Sequence, residues 1–331
     1  MLSQSEIITL NKGDALDHFL IIRKCELRTS KTNKQFLVLE LADRSVSLNS
    51  NMFDSFEEIY SKVKVGDIVK VKGIIDDYQG SPQIKVKTIR PAKFSDDVTV
   101  IDFLTKSKRD FNEMKNEFFD RIEKISGLTL RTLIKNIFTD NNFEKYSSVP
   151  AGKSWHHSYI GGLLEHTLEI IKICDLMCDF HTEINRDLLI CGAILHDFGK
   201  IEELSFEAGF EYSDKGKLVG HIVIGAMLVN EKIKEIDNFP EELKNCLIHL
   251  ILSHQGKLEH ASPVVPKTLE AIALYQADEL SAKVNAYKNA LATEMKTDSK
   301  WTKFLSLAST DLYSHGINPE NEKQISNSLF D

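Results

Sequence analysis

Leu188-Leu-Ile-Cys-Gly-Ala-Ile-Leu195 carries no charge over eight residues and runs directly into His196-Asp197 and then Phe198-Gly-Lys200. The apolar spacing predicts a helix over Asp187–His196 that delivers an imidazole and a carboxylate at its end. Buried polar groups without partners cost several kcal/mol, so such a pair asks for company. Other stretches supply it. His166 lies in Leu163-Leu-Glu-His-Thr-Leu-Glu-Ile170, and His221 follows Gly220 at a helix start. His254 ends Leu247-Ile-His-Leu-Ile-Leu-Ser253, and Asp278 sits in Leu274-Tyr-Gln-Ala-Asp-Glu-Leu280. One His on an apolar helix is usually a satisfied core residue, and His181 and His249 read as such bystanders. Several apolar helices that each deliver one His or Asp are hard to explain as packing. Imidazole nitrogen with carboxylate oxygen suits Mn, Fe, Zn or a similar divalent ion. An adjacent His-Asp pair can send one ligand to each of two ions, or let the Asp bridge both. Two ions about 3.5–4 Å apart suit phosphodiester hydrolysis. Lys200, four residues after His196, is placed to meet a phosphate oxygen as a point charge.

The helical periodicity extends outward from this centre. Phe111–Ile125, Leu128–Thr139, Gly162–Asp179, Gly220–Ile236, Glu241–Ser253 and Pro266–Leu291 all place apolar residues at three- and four-residue steps. Residues 206–217 read as a small insertion, a candidate hairpin. Ahead of the helices the pattern changes. His18–Arg28, Gln35–Leu41, Val46–Met52, Asp67–Gly73 and Gln83–Ile89 read as strands, the last two alternating apolar and polar residues. Tyr78–Pro82 reads as the turn between those two, and Phe53–Lys62 as a short helix. Five strands with a helix between the third and fourth is the order of an OB-fold barrel. The expected architecture is multi-domain, with an N-terminal OB-fold β-barrel followed by an all-α bundle. The expected boundaries are 1–95 for the barrel, 96–125 for a linker and leading helix, and 126–331 for the helical domain.

With 331 residues the chain is long for a single core. Its 42% hydrophobic and 27% charged composition is that of a soluble globular protein. No run of eighteen apolar residues exists, so no membrane span is expected. The first residues lack the basic and apolar stretches of a secretory signal. The five cysteines form no CxxC and read as reduced thiols of a cytoplasmic protein. Residues 1–95 carry 15 Lys and Arg against 12 Asp and Glu. The remainder carries 26 against 37, which accounts for the net −8. A mildly basic module thus precedes an acidic one. Metals would reverse the local field of the acidic part.

His166, His196-Asp197 and Asp278 resemble the signature of HD-domain phosphohydrolases, and His221 with His254 resembles its two-metal branch. More narrowly, the chain is similar to YhaM-type 3′→5′ exoribonucleases, which join an OB-fold to an HD domain. The resemblance runs from about residue 14 to 315. It is carried by Trp155-His-His157, Gly161–His166, Asn185–Leu189, Ile194–Lys200, Gly216–His221, Leu252–Lys257 and Ala277–Lys283. It implies that His166, His196, Asp197 and Asp278 hold one metal, and that Asp197, His221 and His254 hold a second. It favours Mn, with Fe, Co, Mg or Zn as alternatives. It gives Lys200 the scissile phosphate and puts His156 and His157 at the substrate mouth, binding phosphate or assisting the leaving oxygen. The implied product is nucleoside 5′-monophosphate. The chain departs from the family's common pattern at Gln255, where a second His is frequent, and at Ser281, where Asp is frequent. The turn Asp43-Arg-Ser45 lacks a usual glycine.

OB-folds hold single strands by stacking bases on aromatics and tracking the backbone with cations. Phe36, Phe53 and Tyr78 are the aromatic candidates, and Arg23, Lys34, Arg44, Lys72, Lys85 and Lys87 the cationic ones. Phe36, beside Leu37 and Val38, reads equally well as core. Lys85 and Lys87 share one strand face, which solvent alone also explains. The expected partner is single-stranded RNA or DNA, with homo-oligomerisation left open. Two other readings remain. One is an HD phosphohydrolase of small nucleotides, cyclic dinucleotides or dNTPs, which would have no need of the barrel. The other is a nucleic-acid-binding regulatory protein with a dead HD site, which the full ligand set argues against.

Overall fold

A computed structural model describes residues 4–30, 32–78, 80–152, 155–205, 210–296 and 299–316. The chain divides into two compact units. Among the described residues, the first runs up to Thr105 and takes in Phe210 and Glu211, and the second comprises Lys106–Ser205 and residues 212–316.

The first unit contains β1 (Ala15–Thr29), β2 (Gln35–Ala42), β3 (Ser47–Met52), α1 (Glu57–Tyr60), β4 (Ile68–Tyr78) and β5 (Ser81–Pro91). The strands close into a barrel in the order β1-β2-β3-β5-β4. β1 pairs antiparallel with both β2 and β4, while β3 meets β5 in parallel. This is the OB-fold expected from the strand order. Side chains alternate across each strand. Leu37, Leu39 and Leu41 point into the core with Leu20, Val71 and Ile84. Phe36 therefore faces outward, which resolves its ambiguous neighbourhood. Lys85 and Lys87 are exposed on either side of the half-buried Val86. Register shifts at Ile22/Lys24 and Lys72/Gly73 are bulges of the kind that bend strands toward closure. Arg23 sits at the first.

The turn without its glycine is closed by a side chain. Asp43 Oδ1 accepts hydrogen bonds from the amides of Ser45 (2.8 Å) and Val46 (3.0 Å). Its Oδ2 accepts from the amide of Ile7 at 2.7 Å. Asp43, Arg44 and Ser45 all keep negative φ, so the loop has no left-handed position for a glycine to fill.

The second unit begins with α2 (Phe111–Glu123), α3 (Leu128–Ile137), α4 (Asp140–Ser148), α5 (Gly162–Phe180), α6 (Arg186–Leu195) and α7 (Lys200–Glu203). Two short paired strands follow, β6 (Leu204–Ser205) and β7 (Glu211–Tyr212); residues 206–209 of the expected insertion lie outside the described residues. Then come α8 (Asp214–Val219), α9 (His221–Lys234), α10 (Glu241–Ser253) and α11 (Leu269–Thr293). α6 is buried from Leu188 to Leu195 and packs against α5, α10 and α11, as a helix apolar all round must. α4 carries only a weak helical signal in the sequence. Its Asn141, Asn142, Ser147 and Ser148 are weak helix formers. Thr139 caps it by accepting from the Asn142 amide, and buried Phe143 and Tyr146 anchor it. No helix among the described residues is long and apolar enough to cross a membrane. All five cysteines are free.

Candidate active site

Every residue of the sequence constellation comes from a different place in the helical unit. His166 is on α5, His196-Asp197 follow α6, His221 opens α9, His254 caps α10 and Asp278 lies on α11. A glycine sets one of these approaches. A Cβ on Gly199 would lie 2.1 Å from the carbonyl oxygen of His221 and 2.6 Å from the Gly225 nitrogen, so only glycine lets the turn after Asp197 touch α9.

Asp197 is the centre. Its Oδ1 lies 3.2 Å from His221 Nε2 and 3.6 Å from His254 Nε2. Its Oδ2 lies 3.2 Å from His196 Nε2 and accepts from Lys200 Nζ at 2.6 Å. Two ligand groups result, His166 with His196 and Asp197, and Asp197 with His221 and His254. Within each, the ligand atoms lie within 4.8 Å of one another. Asp278 Oδ1 adds a carboxylate 3.0 Å from His166 Nε2.

Each imidazole is oriented through its other nitrogen. His196 Nδ1 donates to the Ala193 carbonyl (2.8 Å) and His254 Nδ1 to the Ile251 carbonyl (2.7 Å). His221 Nδ1 donates to Glu203 Oε1 at 3.0 Å, and its backbone amide donates to the same oxygen. All three Nε2 lone pairs therefore converge on Asp197. Among the described residues, His196 Nε2, Asp197 Oδ1 and His221 Nε2 make no hydrogen bond, though all are buried. Lone pairs aimed at a carboxylate in a dry interior repel unless a cation lies among them. The donor set thus fits divalent metal.

The electrostatics agree. Burial alone would push the Asp197 carboxyl up, but Lys200 and His196 outweigh it and hold it well below the usual carboxylate range. Asp278 is likewise lowered, with His166 overcoming burial. Burial pushes His166 and His254 down, toward the neutral form that a metal requires, while at His196 the Asp197 carboxylate outweighs burial and raises the imidazole.

A cavity of about 190 Å³ opens over these groups. Asp197, Lys200, His254 and Asp278 form its floor, with Trp155, His156 and Tyr275 among its walls. Burial, then the nearby His166 and Lys200, lower the His156 pKa to about 2. His156 therefore meets a substrate as a neutral imidazole. His157 does not reach the mouth. It is fully buried, with its backbone in the left-handed region (φ 40°) and its amide donating to Asn285 Oδ1 at 2.8 Å. That turn drives the ring beneath α5, where its Nε2 lies 3.4 Å from Glu169. His157, Glu165 and Glu169 form a third group of converging ligand atoms, whose carboxylates already accept from Ser107, Tyr159 and Ser281. His249 accepts from the Lys267 amide, as a bystander would.

On the barrel, Phe36 and Phe53 stack with ring centroids 5.0 Å apart and planes at 19°. Phe36 and the exposed Tyr78 line one groove, with Asn49 and Asn51; Phe53, Lys85 and Lys87 line another, which also includes Asn51. Lys34 and Lys72 are exposed, and exposed Arg44 pairs with Glu6 at 2.8 Å.

Residues 163–283 match the family model of the HD domain, and residues 21–92 that of the OB-fold nucleic acid binding domain. The 3′-5′ exoribonuclease YhaM of Bacillus subtilis is 32% identical over 279 residues, covering 84% of this chain and 88% of the relative. This chain belongs to the YhaM family. The YhaM of Listeria monocytogenes is 31% identical over 87% of this chain and 91% of its own. That of Oceanobacillus iheyensis is 33% identical over 84% and 87%. As a YhaM-family chain with an HD domain, the protein is a metal-dependent hydrolase.

Set beside its YhaM-family signature, the site contains residues that no sequence pattern singles out. Glu203 orients His221, and Tyr275, Glu279 and Lys283 line the cavity. No spacing rule points from His196 to a carboxylate seven residues on. Tyr275 and Glu279 flank Asp278 on α11 and read as surface until the helix is placed.

Proposed function

We propose that the protein removes nucleotides one at a time from the 3′ end of single-stranded RNA, with single-stranded DNA as a second substrate, by two-metal hydrolysis to nucleoside 5′-monophosphates. The observation that carries this reading is the division of Asp197, whose two oxygens face two different histidine groups. His166, His196, Asp197 and Asp278 would hold one ion, and Asp197, His221 and His254 the second. Bound there, Mn²⁺ or a similar ion would activate water and neutralise charge on the oxygens of an in-line displacement.

The chain's own residues would do the rest. Lys200, buried at the floor beside Asp197, would meet a phosphate oxygen as a fixed positive charge. Neutral His156 would offer a hydrogen bond at the wall without adding charge. Trp155 and Tyr275 would enclose the terminal nucleotide and limit access of bulk water. The barrel would capture the strand through Phe36, Phe53 and Tyr78, with Lys34, Lys85, Lys87, Arg23 and Arg44 as candidate phosphate contacts. Five free cysteines suit a reducing, cytoplasmic setting.

The test is a denaturing gel of 5′-labelled single-stranded RNA with Mn²⁺ and with EDTA. A ladder shortening from the 3′ end, absent with EDTA, is the expected result. Immediate release of a labelled mononucleotide would reverse the direction of attack. Intact RNA would favour small nucleotides as substrates instead.

A further inference from the structure

Three of the site histidines are oriented by groups next to them in sequence or by one direct carboxylate; His166 is different. Its Nδ1 lies 3.0 Å from the hydroxyl of Ser281, one turn beyond Asp278 on α11. Ser281 Oγ in turn lies 2.7 Å from Glu169 Oε2, which is on α5, three residues after His166 itself. Directionality follows from the chemistry. A carboxylate only accepts, so the single hydroxyl proton of Ser281 is committed to Glu169. The hydroxyl oxygen must then accept from His166 Nδ1–H. Nδ1 is thereby the protonated nitrogen whenever an ion takes Nε2, which lies 3.0 Å from Asp278 Oδ1.

We infer that Glu169, acting through Ser281, is the positioning couple that sets the tautomer and basicity of His166 toward the metal. The inference rests on the metal reading proposed above. It gives the centre a plain symmetry. His221 in one ligand group has the Glu203 carboxylate behind it, and His166 in the other has Glu169 behind it through one hydroxyl. Each group then contains one imidazole backed by negative charge, the arrangement that raises the donor strength of a ligating histidine. Ser281 is buried among these groups, and nothing but His166 and Glu169 takes its hydroxyl among the described hydrogen bonds. Glu169 also faces His157, so its charge alone does not isolate the couple. The hydroxyl does.

The experiment measures Mn²⁺ binding by the electron paramagnetic resonance of free Mn²⁺ on the full chain, with metal-free melting and circular dichroism as the fold control. Wild type is compared with His166→Ala, Ser281→Ala, Glu169→Gln, the Ser281→Ala/Glu169→Gln double variant and Ser281→Asp combined with Glu169→Gln. Ser281→Ala should weaken one of the Mn²⁺ sites about tenfold, the range seen when such outer partners are lost. The double variant should bind no more weakly than Ser281→Ala, because both changes break one chain. Ser281→Asp with Glu169→Gln should recover binding, since the carboxylate then reaches Nδ1 directly; a merely structural serine would not be rescued this way. Wild-type affinity in folded Ser281→Ala, with binding lost in His166→Ala, overturns the couple and leaves the metal reading standing. Absence of Mn²⁺ binding in wild type overturns both.

Discussion

Lys200 and Asp197 stand 2.6 Å apart in the floor of the cavity, ammonium to carboxylate, and the same ammonium also donates to the carbonyl of Ala151. Both side chains are almost wholly out of solvent. The pair has two consequences. Lys200 keeps Asp197 ionised in a dry site. It is also held at one position, where a phosphate oxygen can exchange for the carboxylate. Lys200→Met should therefore cut kcat on RNA by about 10²-fold or more. Without metal it should also cost about 3 kcal/mol of stability, because buried Asp197 loses its ammonium partner. Excess Mn²⁺ should recover the stability and leave the activity lost. Recovery of both would remove Lys200 from the chemistry.

Gly199 offers a second test, aimed at the backbone. A methyl group there meets the His221 carbonyl and the Gly225 amide, neither of which can rotate away. Gly199→Ala should lower stability by about 2 kcal/mol through overpacking. It should displace α9 and weaken Mn²⁺ binding at the His221 group. Calorimetric melting and metal titration check the two effects. An unchanged Mn²⁺ isotherm would mean that α9 is not held by this contact.

The buried imidazoles set a pH dependence. His156, His166 and His254 all have folded-state pKa values below the free value of 6.5, with burial as the leading cause. A group with a depressed folded pKa contributes stability that is present above its unfolded pKa and lost as pH falls below it. His196, which Asp197 raises against burial, acts in the opposite sense, so with three imidazoles lowered against one raised, metal-free protein should melt at progressively lower temperature from pH 6.5 downward. By pH 5.5 His156, lowered to about 2, accounts for about 1.4 kcal/mol. His156→Asn should flatten the decline by about that amount. An identical slope in the variant would show that His156 is not buried in its neutral form.

On the barrel, Phe36 and Phe53 stack against one another on the outer face. Losing one base platform costs about 1–3 kcal/mol, so Phe53→Ala should weaken binding of a single-stranded 12-mer by about tenfold. Cleavage of a dinucleotide, too short to need capture by the barrel under the proposed function, should be unchanged. Fluorescence anisotropy and a dinucleotide assay separate the two. Equal losses on both substrates would remove the capture role of the barrel.

Much of the site was legible in the chain because metal-binding chemistry restricts residue type. His and Asp in apolar helices are expensive unless used, so His166, His196, Asp197, His221, His254 and Asp278 stand out against their neighbours without any coordinates. The strands of the barrel were legible for a related reason, since a pleated half-buried surface imposes period two. Residues that act through another were not legible. Glu203, Glu169 and Ser281 sit on faces where a carboxylate or hydroxyl would be equally at home in solvent. α4 escaped because Asn and Ser weaken the helical signal, and its stability comes from Phe143 and Tyr146 packing inside the unit.

Sequence by itself determined the two architectures and set apart the candidate metal ligands, because periodicity and the cost of burying polar groups are properties of the chain. Tertiary structure alone decided which oxygen of Asp197 faces which histidines, that His157 turns inward while His156 lines the cavity, and that Phe36 lies outside the barrel. Those outcomes depend on where helices and strands distant in sequence meet, and a contact only a few ångströms wide decides each of them.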